Sequence, residues 1–189
     1  MKYIQVFALF FLALLSASSY SFFITTYDSS VFNIDTNAMN ADLGIDGNFI
    51  IEDFEDDTLM PGLTISDDAD GAGTLMFVTN SVVVWDGARA MVAGLSSTIP
   101  IDDPVFSFSN PVEQFGLGMS DYQPEIYGAS QILVNGISLG NIPVADTLRD
   151  GYFFITAGAG ESINTVTFLQ AGNDSIMYDH LAVKYGSVP

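Results

Sequence analysis

Five carboxylates fall within six residues at Glu52-Asp53-Phe54-Glu55-Asp56-Asp57. Like charges this close repel unless solvent or a cation screens them, and hard oxygen ligands of this kind suit Ca²⁺. If residues 49–54 form a strand, Glu52 and Phe54 share one face while Asp53 and Glu55 share the other. The competing assignment is a solvated strand end whose charge keeps an edge from pairing with other chains. Asp67-Asp68-Ala69-Asp70-Gly71 has the front half of a calcium loop. Thr79 stands where an EF-hand needs its closing bidentate Glu, so that motif is rejected in favour of an acidic turn. The Asp35, Asn37, Asn40, Asp42 and Asp46 series lacks the glycine of the sharp turn.

His180, the only histidine, lies in the apolar run Ile176-Met177-Tyr178-Asp179-His180-Leu181-Ala182-Val183. A catalytic histidine needs a nucleophile and an orienting group, and no such signature accompanies it, so a structural role is expected. Period-two alternation predicts Asp179, Leu181 and Val183 on one face and Tyr178, His180 and Ala182 on the other. Asp179 would then point inward, where a carboxylate needs a partner or a metal. An Asp/Glu pair could serve glycoside hydrolysis, but with so many acids a pair by itself selects nothing. Aromatics beside turn residues, namely Trp85, Tyr122 and Tyr127, are the candidates for contact with a sugar ring, with burial of Trp85 in the core as the competing expectation. Asn173-Asp174-Ser175 fits a glycosylation acceptor.

These groups must be positioned by strands. From residue 49 onward, short β-rich runs alternate with Gly, Pro, Asp and Asn. They predict strands at 49–54, 63–66, 74–79, 82–85, 90–93, 105–109, 112–119, 131–135, 137–141, 152–157, 164–170 and 176–185. Asn135-Gly136 joins two of them as a tight hairpin, and Val105-Phe106-Ser107-Phe108-Ser109 alternates so that both phenylalanines share a face. No window has clean helical periodicity. The expectation is an all-β fold, an antiparallel β-sandwich (jelly roll) of roughly 9–12 short strands.

Over 189 residues there are 23 acids against 4 bases, a net charge of −19. The acids are 18 Asp and 5 Glu, a bias toward loops and turns. Such a surface repels phosphate backbones, which excludes nucleic acid as a partner. With no cysteine, disulfides, thiolate metal sites and cysteine nucleophiles are excluded too. Met1-Lys2, an apolar run to Leu15 and the small residues 16–21 have the layout of a secretory signal peptide, with cleavage expected near Ser19 or Ser21. The run is short for a membrane span of roughly 20 residues, and no transmembrane span follows in the mature chain. The organisation expected is a signal peptide at 1–21, a partly ordered arm or edge element at 22–48, a sandwich at 49–186 and a tail at 187–189.

Taken in order, Asp53-Phe54-Glu55-Asp56, Phe115-Gly116-Leu117-Gly118, Leu133-Val134-Asn135-Gly136, Asp150-Gly151-Tyr152-Phe153 and Tyr178-Asp179-His180-Leu181-Ala182-Val183 form a series. The series resembles bacterial secreted jelly-roll domains of the PEP-CTERM, exosortase-sorted type. It is loosely similar to carbohydrate-binding jelly rolls, whose first strand carries a Phe-Glu and whose last carries an inward Asp. The resemblance implies a structural Ca²⁺ between the first and last strands, with Glu55 and Asp179 as ligands and Glu52 or Asp53 as further candidates. It implies no particular sugar-binding aromatics. Ser187-Val188-Pro189 would be the start of a sorting tail. The function expected is a secreted, non-catalytic binding or matrix module, with extracellular polysaccharide or a surface protein as partner. The alternatives are a structural biofilm protein and a glycan-acting hydrolase.

Overall fold

The computed structural model describes residues 21–67, 76–79, 84–94, 102–143, 150–171 and 174–186. The signal-peptide assignment, residues 68–71 of the acidic loop, the first two residues of each of the predicted strands 74–79 and 82–85, Asn173 and the tail lie outside them. Eleven strands are joined by antiparallel hydrogen bonding: β1 Phe22–Asp28, β2 Ile50–Glu52, β3 Leu63–Asp67, β4 Met76–Thr79, β5 Arg89–Gly94, β6 Pro104–Ser120, β7 Gln131–Val134, β8 Ile137–Asn141, β9 Gly151–Ala157, β10 Ile163–Leu169 and β11 Ser175–Tyr185. Among the described residues there are also two short α-helices, α1 Thr36–Leu43 and α2 Pro124–Tyr127, and a 3-10 turn at Ser29–Val31. The fold is an all-β antiparallel sandwich, as the alternating runs predict.

One strand makes the two layers. The predicted strands at 105–109 and 112–119 are a single 17-residue β6. Its first half pairs with β3 and β10, and β10 leads on to β7 and β8. Its second half pairs with β11 and β9. β11 carries β5 and β2 end to end on its other edge, and β9 carries β1. Between the layers lies a core centred on Phe106, Phe115, Phe153, Phe168 and Tyr178, all at most 1% exposed. Phe106 and Phe108 both enter it, as their alternation requires. Asn135 (φ 51°) and Gly136 (φ 79°) make the β7–β8 turn with the two positive φ values that this dipeptide tolerates.

Residues 22–48 contribute an edge strand and a helix. β1 adds an edge strand to β9, and α1 runs from an Asp35 cap, which accepts from the Asn37 and Ala38 amides, to left-handed Gly44. Met39 and Leu43, one turn apart, pack with Ile45, Trp85, Tyr152, Phe154 and Ala182 on the outer face of the β11–β6–β9 layer. That layer is therefore covered on both faces. This accounts for the unbroken burial of Tyr152-Phe153-Phe154-Ile155, where every residue of the strand faces apolar surroundings.

Candidate functional site

The acids singled out by sequence meet β11 at one place. On its outer edge β5 pairs as far as Tyr178 and β2 begins at Leu181, leaving Asp179 and His180 between them. There the register against β6 slips: Asp179 pairs with Gly118 but Ala182 with Gly116. His180 takes a left-handed φ of 49° and forms the bulge. The extra residue reverses the alternation. Tyr178, Leu181 and Val183 enter the inter-sheet core together while Ala182 faces α1, which corrects the prediction that Tyr178 shares a face with His180 and Ala182.

Residues 53–57 and 85–88 fill the gap. Asp179, 1% exposed, accepts from the Asp86 amide (Oδ2, 2.8 Å) and the His180 amide (Oδ1, 2.7 Å). Burial pushes its carboxyl up to about 8 against the lowering by these two donors. Asp86 Oδ2 lies 3.1 Å from His180 Nδ1, and its Oδ1 accepts from Thr36 Oγ1 at 3.0 Å. The His180 hydrogen bond holds Asp86 below the usual carboxylate range although burial opposes it. His180 Nε2 meets Asn40 Oδ1 at 2.6 Å, and its carbonyl accepts from the Tyr152 hydroxyl at 2.8 Å. The His180 ring is wholly buried.

The other acids are engaged separately. Glu52, buried, accepts from the amides of Phe54 and Met60, and burial raises its carboxyl. Glu55 Oε1 accepts from the Ala88 and Arg89 amides at 2.6 Å each, while Arg89 donates from Nη1 to the Glu55 carbonyl and from Nη2 to Asp57. Asp53 Oδ1 takes the Glu55 amide. Calcium needs six to eight oxygens converging on one point. Among the described residues no three acidic or histidine side chains converge in that way. Glu55, Asp179, Glu52 and Asp53 each turn oxygens to main-chain N–H groups instead. Their arrangement does not fit the calcium site that the resemblance implies.

Two aromatic candidates are likewise taken inward. Trp85 is 1% exposed, with its ring between Phe32 and Tyr152 and its Nε1 donating to the Met119 carbonyl. Tyr122 is fully buried and accepts from the Ser130 amide. Neither presents a ring face to solvent, because each ends a segment that closes over the core. Tyr127, on α2, is 38% exposed.

The surface offers a different place. A depression of about 530 Å³ lies where the β7–β8 hairpin meets the β9–β10 turn, lined by Asn135, Ile137, Gly160, Glu161, Ser162, Asn164 and Thr165. Gly160 and Glu161 also border a neighbouring depression of about 360 Å³, reached by Glu113, Gln114, Thr156 and Lys184. Asn135 builds the corner: its Nδ2 donates to the Ser162 carbonyl at 2.7 Å, and its Oδ1 accepts from the Asn164 and Thr165 amides at 2.8 and 3.1 Å. Sequence reasoning identified Asn135 as a turn residue only. The signal for its second role, a chain 27–30 residues away in sequence, is not local. Asn135→Ala loses three hydrogen bonds and puts alanine in a left-handed conformation, and it is expected to cost about 2–3 kcal/mol by urea unfolding.

No protein-family model and no curated protein matches the sequence. Among solved structures, the K2 cleaved adhesin domain of Lys-gingipain (Kgp) is similar at 10% identity and a TM-score of 0.47, over 73% of this chain and 98% of that one. The catalytic unit of a GH87 α-1,3-glucanase from Streptomyces thermodiastaticus is similar at 16% identity and a TM-score of 0.34. The enzymatically active domain of bacteriophage CBA120 tailspike protein 4 is similar at 14% and 0.39. These two likenesses span 67% and 71% of this chain but 26% and 20% of the other chains. Among the described residues no helix is long and apolar enough to cross a membrane.

Proposed function

We propose that this chain is an extracellular, non-catalytic binding module whose ligand is a neutral polysaccharide, held in the depression between the β7–β8 hairpin and the β9–β10 turn. The lining of that depression carries the proposal. Hydroxyl and amide side chains (Ser162, Thr165, Asn164) surround one carboxylate, Glu161, which can accept a pair of sugar hydroxyls. Gly160 lets a ligand approach the main chain, and Ile137 supplies an apolar surface for sugar C–H groups. Glu161 and Glu113, on a chain of net charge −19, disfavour sulfated or uronate-rich glycans. The acids shifted most by burial, Asp179 among them, line neither depression; they serve main-chain amides inside the fold. The apolar leader at residues 3–15 supports export.

Retention on immobilised neutral polysaccharides tests this. Glu161→Gln and Asn164→Ala are each expected to weaken retention about tenfold without changing the unfolding midpoint. Retention on no neutral glycan, or retention unaffected by both substitutions, overturns the proposal. Shortening of a glycan that is abolished by Glu161→Gln would establish the hydrolase alternative instead.

A further inference from the structure

We infer that the N-terminal segment is latched to the sandwich by a polar cluster built on the side chains of His180, Asp86 and Arg89, where the resemblance implies a bound calcium ion. The gap on the outer edge of β11 holds Asp86 and Asp179, with Glu55 on the amides of residues 88 and 89 and Asp57 on the Arg89 side chain, and acids so placed need positive charge or donors. Both are present. Backbone amides donate to the carboxylates of Glu52, Asp53, Glu55 and Asp179. Arg89, one of only four Lys and Arg residues in the chain, reaches back with Nη2 to Asp57 at 2.8 Å.

The only histidine takes the other half. His180 is turned by its left-handed backbone so that both ring nitrogens face oxygens, Asp86 Oδ2 at 3.1 Å and Asn40 Oδ1 at 2.6 Å. Both ring nitrogens are thereby engaged, one by the Asp86 carboxylate and the other by the side-chain amide of Asn40. The remaining groups packed around it are the Asp179 carboxyl, which accepts from the His180 amide, and Tyr152, whose hydroxyl donates to the His180 carbonyl. Two of the groups that complete the cluster, Thr36 and Asn40, are one turn apart on α1. The same helix sets Met39 and Leu43 into the apolar patch beside them. The polar latch therefore fixes the register in which α1 covers the outer face of the sheet.

The test is made on the full chain. Thermal unfolding in calcium and in EDTA is expected to give superimposable curves. His180→Gln is expected to speed proteolytic cleavage within residues 29–48 by about tenfold, with no protection regained on adding calcium, and Asn40→Ala, which removes the α1 partner of the ring, is expected to act in the same direction. A midpoint that rises with calcium, or an unaltered cleavage rate in both variants, would each overturn the inference. If His180→Gln does not fold, the calcium measurement on the unaltered chain and the Asn40→Ala cleavage rate decide it.

Discussion

Raising the pH through the neutral range should cost this protein stability, with Asp179 as the main cause. Burial lifts its carboxyl from the ordinary 3.8 to about 8, so between those values the folded chain keeps a proton that the unfolded chain has released. The stabilisation is complete below about pH 4 and is lost as pH rises through 8. Across that window it amounts to roughly 5 kcal/mol, from four pK intervals of 1.36 kcal/mol each. Burial raises Glu52 and Asp174 as well, which adds to the trend in the same direction. Growing self-repulsion of a chain with 23 acids adds to it again. Asp86 opposes it in acid: its lowered pKa contributes stability that is present above 3.8 and disappears as pH falls through the folded value. The optimum is therefore expected near pH 4–5, on the acid side of the usual range. Urea midpoints measured from about pH 4.5 to 8.5 check it. A midpoint that climbs with pH would contradict the assignment. Asp179→Asn should flatten the slope while lowering stability at acid pH, since an amide nitrogen cannot accept from one of the two main-chain donors.

Phe115→Ala is the second large effect expected. Phe115 is fully buried on the second half of β6, with ring centroids 5.7 Å from Phe106, 6.0 Å from Phe108 and 6.4 Å from both Phe153 and Phe168. These partners come from β6 itself, β9 and β10, so truncation opens a cavity where both layers meet. Flanking strands cannot close it without breaking their pairing with β6, and a loss of about 3–5 kcal/mol is expected. Phe23→Ala on edge strand β1 is the control. Its side chain is 60% exposed, and its loss should change stability by no more than about 0.5 kcal/mol. Equal effects of the two substitutions would mean that the core is not where the ring contacts place it.

Much of the strand content was legible because the signals are local. Alternation in 105–109, the Asn135-Gly136 turn and the β-branched runs of β7, β8, β9 and β10 depend on near neighbours and survive into the fold. α1 was not legible: at eight residues it offers a single apolar pair, Met39 and Leu43, too short a stretch to establish a period. Its trace lay elsewhere, in the consecutive apolar residues of Tyr152-Phe153-Phe154-Ile155. A strand covered on one face only would not need them. The β11 faces were misassigned because one residue in a left-handed conformation shifts the phase of a period-two pattern, and histidine's modest enrichment in that conformation is too weak a signal to mark a bulge inside an apolar run.

The candidate sites divide along the same line. By itself the sequence determined an acidic, cysteine-free chain with β-rich patterning, ruled out thiol chemistry, argued against nucleic acid as a partner, and picked out Glu52, Glu55 and Asp179 as candidate ligands. Which partners they have was decided only by tertiary structure. Asp179 is bound by an amide 93 positions earlier, and His180 by a side chain 140 positions earlier. The surface depression likewise exists only where residues 135–137 meet 160–165. Composition and spacing state how much charge and polarity must be satisfied; the long-range pairing of strands decides which donor meets which acid.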